Sequence, residues 1–208
     1  MVSAGMLSAK GKPGARVASM KGKVKLMKTM TDPTLQAGFR EILPAAGRAA
    51  DVPEADDLYG FLIGSWDLDV AAFPDEGDKI ESKGEAHGSW VLEGRAIQDL
   101  FINPRRADRN PDSPRFANWF GTTIRIYDPA IRAWRVTWLN PHDGFRAELI
   151  GRRRGSDIVQ DGTFPDGTKI RWTFSEITGD SCLWRGERLE PDGKTWRLQV
   201  EIRAHRMS

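Results

Sequence analysis

The chain holds one cysteine, Cys182, in 208 residues, so no intrachain disulfide can form. That usage fits a reducing compartment, and the chain is expected in the cytoplasm. It has no apolar run of about 20 residues, the length a membrane-spanning helix needs, so no membrane partner is expected. Histidine is scarce: His87, His142 and His205 are the three present. They show no H-x-H or H-x-x-x-H spacing and have no cysteine pair to join them, which argues against a metal site. No phosphate loop, dinucleotide fingerprint or G-x-S-x-G elbow is present. No cofactor is therefore expected, and Ser/His/Asp chemistry has no local support.

Acidic residues are absent from the first 30 positions, which carry Lys10, Lys12, Arg16, Lys21, Lys23, Lys25 and Lys28. The formal net charge of +2 hides this asymmetry: of 31 basic residues seven lie in this stretch, leaving 24 against 29 acidic ones, about −5. A basic, glycine-punctuated stretch of this kind reads as a solvated, disordered tail. It lacks the apolar core of a secretory signal. It has a faint transit-peptide character, and Met20, Met27 or Met30 would each serve as an internal start. The acidic remainder offers no electrostatic footprint for nucleic acid.

Tryptophan, by contrast, is abundant: eight against two tyrosines. Trp buries a large area and carries an N–H that needs a partner. A Trp-rich core is the plainer reading, an aromatic pocket wall the sharper one. Three regions are expected: a basic tail over 1–30, a helix and linker over 31–53, and a β domain over 54–208. Asp32-Pro33 marks a helix start, with Asp32 as N-cap and Pro33 at the first helical position. Leu35, Phe39, Ile42 and Leu43 recur at helical spacing up to Pro44. One more helical turn near Asp56 to Leu62 would cap a barrel mouth.

Beyond that point the period becomes two. About ten strands are expected, near 63–73, 79–91, 95–103, 117–128, 131–140, 145–152, 156–163, 168–177, 181–189 and 195–205. The turns between them carry their own chemistry, as in Asp128-Pro129-Ala130, Pro165-Asp166-Gly167-Thr168 and Pro191-Asp192-Gly193-Lys194. Trp134, Val136 and Trp138 share one face, as do Ile170, Trp172 and Phe174, and Trp196, Leu198, Val200 and Ile202. Arg, Thr, Gln and Glu take the opposite positions. One apolar and one wet face is what an antiparallel sheet closed into an all-β barrel requires.

Gly64-Ser65-Trp66 opens the first strand with G-x-W. Lipocalins and their calycin relatives carry that motif there, and the chain resembles them. The resemblance implies a lipocalin-like antiparallel barrel in which an Arg of the last strand, Arg203 or Arg206, packs over Trp66. A second resemblance rests on Gly121-Thr122-Thr123-Ile124-Arg125-Ile126-Tyr127-Asp128-Pro129, Trp134-Arg135-Val136-Thr137-Trp138, Asn140-Pro141, Leu149-Ile150-Gly151-Arg152, Ile158-Val159-Gln160-Asp161-Gly162 and Trp184-Arg185-Gly186-Glu187. These blocks, spanning about residues 55–205, look like an uncharacterised bacterial protein family with a lipocalin-like barrel. That resemblance implies a fold and brings no catalytic residues. The ligating His motif of haem-binding nitrobindin-like barrels is not found. Secreted lipocalins carry signal peptides and often disulfides, and neither is found here.

Candidate catalytic residues follow from parity. Asp99 alternates with Ile97 and Phe101, and Glu176 shares parity with Trp172 and Phe174, so each would point inward. A carboxylate in an apolar lumen could serve as general acid or base; the plainer reading has both near strand ends, reaching water or an Arg. His142 lies in a loop at a barrel mouth, where a solvated loop histidine is the plainer reading. His87 falls opposite Trp90 in parity and should face solvent unless Gly88 introduces a bulge. Trp66, Trp90, Trp138, Asn140 and Trp172 are the expected ligand-binding residues. The leading expectation is a barrel binding a small apolar or aromatic molecule in a Trp-lined lumen. A cofactor-independent enzyme of isomerase, cyclase or dehydratase type is the alternative, and whether the chain catalyses anything is left open. A filled barrel acting through its surface, as a homodimer, is the third.

Overall fold

Period-two alternation broken by turn residues becomes ten strands: β1 (Gly64–Ala72), β2 (Ile80–Val91), β3 (Ala96–Asn103), β4 (Trp119–Asp128), β5 (Ala133–Asn140), β6 (Phe145–Arg154), β7 (Asp157–Thr163), β8 (Lys169–Ser175), β9 (Ser181–Leu189) and β10 (Trp196–Arg206). A computed structural model describes residues 33–110 and 118–208. The expected basic tail and Asp32 lie outside the described residues. Every strand pairs antiparallel with its sequence neighbour, and β1 pairs with β10 from Trp66↔Arg206 to Ala72↔Val200, closing a ten-stranded antiparallel barrel. Closure leaves no edge strand to template aggregation.

The turns form as their residues dictate. Asp166 Oδ1 accepts from the Thr168 N–H at 2.9 Å, and Asp192 Oδ1 accepts from the Lys194 and Thr195 N–H groups at 2.8 Å. Gly167 and Gly193 follow these aspartates with φ of 88° and 68°, a region that disfavours any Cβ.

In up-and-down order, the β2–β3, β4–β5, β6–β7 and β8–β9 connections share one end of the barrel, and that end is plugged. The chain before β1 forms 3-10 turns at Glu54–Asp56 and Gly60–Leu62. It inserts Tyr59, fully buried, between Trp134 and Phe174 (ring centroids 5.3 and 6.2 Å). Trp134 Nε1 donates to the Asp56 carbonyl at 2.7 Å, and the Tyr127 hydroxyl donates to Asp56 Oδ2 at 2.6 Å. Trp66 Nε1 donates to the Leu62 carbonyl at 3.0 Å. The buried indole N–H groups of Trp66 and Trp134 thus find backbone acceptors, as burial demands. Arg206 supplies the expected guanidinium over Trp66, 4.3 Å from the ring centroid, while Arg203 turns outward to Glu176. The helical turn expected at a barrel mouth is therefore the plug of the closed end.

The expected helix forms as α1 (Pro33–Ile42), with Phe39 and Ile42 exposed. One expectation is corrected. In β10 the register slips between Leu198 and Val200, so the parity of Trp196 and Leu198 inverts. Trp196 lies on the outer wall under the Arg171 guanidinium, 4.1 Å from its centroid. Arg197 takes the opposite face and donates to the Pro74 carbonyl at 2.9 Å. A bulge of one residue does this, because side chains alternate with a period of two.

Candidate functional site

The inward faces do not fill the barrel. They enclose a cavity of about 700 Å³ that opens at the end carrying the β1–β2, β5–β6, β7–β8 and β9–β10 turns. Its wall is aromatic. Phe101 lies 5.9 Å from both Trp119 and Trp138, Trp172 lies 5.6 Å from Trp184, and Phe145 lies 5.3 Å from Phe164. These rings sit edge-on or tilted, the arrangement favoured by aromatic quadrupoles.

Two inward glycines let the rings lie against the wall. A Cβ on Gly121 would come 2.4 Å from Trp138 Cη2, and one on Gly186 would come 2.7 Å from Trp184 Cη2 and 3.6 Å from Trp172 Cδ1. Any larger residue there would drive a ring into the lumen. Cys182 also lines the cavity. Burial pushes its thiol up to about 11, so it is protonated at neutral pH and a poor nucleophile.

Polar groups are few. Asp99, Thr123 and Arg125 face the lumen from β3 and β4. Arg125 is buried and ion-paired with Asp99. Its guanidinium carbon stands 5.0 Å from the Tyr59 ring centroid and 5.9 Å from that of Phe174, which places it toward the plugged end. Asn140 lies at the mouth, where its Oδ1 accepts from the His142 N–H at 3.3 Å and its Nδ2 donates to Asp143 Oδ2 at 3.4 Å. Asp75 sits on the rim, 2.9 Å from Arg188 Nη1 and 3.5 Å from Arg197 Nη1.

The structure gathers Trp66, Asp99, Trp138, Asn140 and Trp172 around one cavity. Trp90 lies apart, buried against Trp134 with ring centroids 6.4 Å apart. His142 is exposed in the β5–β6 turn. Glu176 does not reach the lumen: β8 ends at Ser175, and Glu176 follows with φ of 52°, exposed and 3.5 Å from Arg203 Nη1. Strand parity does not extend through that turn.

His87 is on the outer wall, half-buried. Its Nδ1 lies 2.9 Å from Ser65 Oγ and its Nε2 3.3 Å from Glu85 Oε2. Among the described residues no cluster of three or more His, Cys, Asp or Glu could hold a metal ion. No helix there is long and apolar enough to cross a membrane.

Arg125 is the functional candidate that sequence reasoning missed. In β4 the apolar Ile124 and Ile126 occupy the outer face, while Thr123 and Arg125 point inward. The signal lay in pairing: Asp99 sits opposite Thr123 and Ile97 opposite Arg125, so an inward Asp99 places its neighbours on β4 inward too.

No protein-family model matches the chain, and no curated protein matches it in sequence. Solved structures resemble it in fold. The S-type phycobiliprotein lyase CPES from Guillardia theta aligns with a TM-score of 0.50 and 12% identity, over 74% of this chain and 93% of that one. Rv2717c from M. tuberculosis aligns with a TM-score of 0.49 and 14% identity, over 75% of this chain and 99% of that one.

Proposed function

We propose that the barrel binds a small, largely apolar or aromatic molecule in its lumen, with Trp66, Trp138, Trp172 and Asn140 among the residues that touch it. The observation that carries this reading is the open cavity of about 700 Å³ with an aromatic wall and few inward polar groups. Small-molecule sites span roughly 300–1,000 Å³ and combine an apolar lining with a few oriented polar groups. The fold likeness to a phycobiliprotein lyase puts a pigment-like molecule among the candidates.

A cofactor-independent enzyme is the second reading, and Asp99 is the observation that favours it, as an inward carboxylate deep in the cavity. Its ion pair with Arg125 occupies that carboxylate, which makes binding the better supported of the two.

Titration with 1-aminoanthracene, followed by quenching of tryptophan fluorescence, tests the proposal. Saturable one-to-one binding is expected. Trp138→Ala and Trp172→Ala should each weaken it by about tenfold or more, the effect of removing a central aromatic contact. No saturation, or affinities unchanged in both variants, would remove the lumen as the site.

A further inference from the structure

Hydrogen-bonding capacity that the protein does not use lies at the plugged end of the barrel; of the residues that carry it, Arg125 lines the cavity, while Tyr59 and Gln160 are fully buried outside its lining. Arg125 Nε, the Tyr59 hydroxyl and both polar atoms of the Gln160 amide are buried with no partner in the protein. They lie in one neighbourhood. The Arg125 guanidinium stands over the Tyr59 ring at 5.0 Å. A Cβ on Gly151 would come 2.0 Å from the Tyr59 hydroxyl and 3.5 Å from Gln160 Cγ. Gln160 pairs with Gly151 and Trp172 and so shares their inward face. Buried donors and acceptors left unmade are costly, and such groups in a native protein call for a partner.

The charge at this depth is already balanced. Among the described residues lining the cavity, Asp99 and Arg125 are paired with each other, and Asp75 on the rim is taken by Arg188 and Arg197. A ligand carboxylate at the deep end would stand beside Asp99 with one guanidinium between two anions. A ligand amine would stand beside Arg125. Either leaves a buried charge without compensation, at a cost that a neutral group avoids.

The geometry points to a ligand that enters polar end first and is uncharged there: a flat aromatic or conjugated body bearing a carbonyl-type acceptor that takes a hydrogen bond from Arg125. This inference rests on lumen binding and adds the chemistry and orientation of the ligand to it.

Three probes with one body separate the possibilities: 1-acetylpyrene, 1-ethylpyrene and 1-pyrenecarboxylate, titrated at pH 8 against tryptophan fluorescence. The acetyl compound should bind about tenfold more tightly than the ethyl compound, since a charged donor meets its carbonyl. The carboxylate should bind most weakly. In Asp99→Asn, an isosteric change that leaves Arg125 as an unpaired cation, the carboxylate should become the tightest of the three. In the double variant Asp99→Leu/Arg125→Met, where apolar residues replace the pair, the ethyl compound should bind at least as well as the acetyl compound. Equal affinities of all three probes in the wild type, or the same ranking in wild type and both variants, would overturn the inference and leave lumen binding standing. Failure of all three to bind would overturn both.

Discussion

Glu85 on β2 shows what a single half-covered carboxylate contributes. It accepts from Arg106 Nε at 2.6 Å and from the Arg106 backbone N–H at 3.0 Å, and lies 3.3 Å from His87 Nε2. The Arg106 side-chain hydrogen bond, chiefly, lowers its pKa from 4.5 to about 2. A carboxylate depressed in the folded state contributes stability above its unfolded pKa and loses it as pH falls through the folded value. The Glu85 contribution is therefore fully present above about pH 4.5 and gone near pH 2. Urea unfolding of the wild type and Glu85→Gln checks this. The wild type should be more stable at pH 6, and the gap should shrink steadily between pH 4.5 and pH 2. A gap that does not change with pH would contradict the assignment. At this same scale the sequence spoke unevenly. Asp99 was readable as inward because its neighbours Ile97 and Phe101 are apolar. Arg125 was not, because its own strand carries its isoleucines on the outside.

The elements were largely legible because their turns are chemically explicit. Asp-Gly hairpins and Asp128-Pro129 fix where strands stop, and all ten strands fall within a few residues of their expected spans. What alternation alone could not show is the bulge in β10. Trp196 and Leu198 look like a continuation of the Val200–Ile202 face, but one extra residue inverts them. Burial did not reveal it, because Arg171 covers Trp196 on the outer wall. The last strand also fastens the plug. Arg206 donates to the carbonyls of Ile63 at 2.7 Å, Phe61 at 2.9 Å and Gly179 at 2.7 Å while stacking on Trp66. Hydrogen bonds from a charged donor contribute about 1.5–3 kcal/mol each, but they are not additive and Arg206 is partly exposed. Arg206→Ala should cost about 2–4 kcal/mol of unfolding free energy. Arg206→Lys should recover only part, since an ammonium cannot reproduce the planar fork. Urea denaturation of the three proteins decides it, and an Arg206→Ala protein as stable as the wild type would show that the plug holds without this residue.

For the whole molecule, closure joins the first and last strands: β1 and β10 pair from Trp66↔Arg206 to Ala72↔Val200. A plug at one end and an open mouth at the other turn this closed sheet into a container rather than a filled barrel. Period and turn chemistry made the barrel foreseeable. Whether its interior was packed or open depended on how far each Trp reaches across the lumen, which spacing along a strand does not determine. The inward glycines settle that in favour of space, with Gly121 and Gly186 receding behind Trp138 and Trp184. The most direct test of the container account is native mass spectrometry of the protein purified gently from its own host. The account predicts a one-to-one adduct with an organic molecule that is lost in Trp138→Ala or Trp172→Ala. A bare mass that persists when apolar and aromatic compounds are supplied in excess would contradict it.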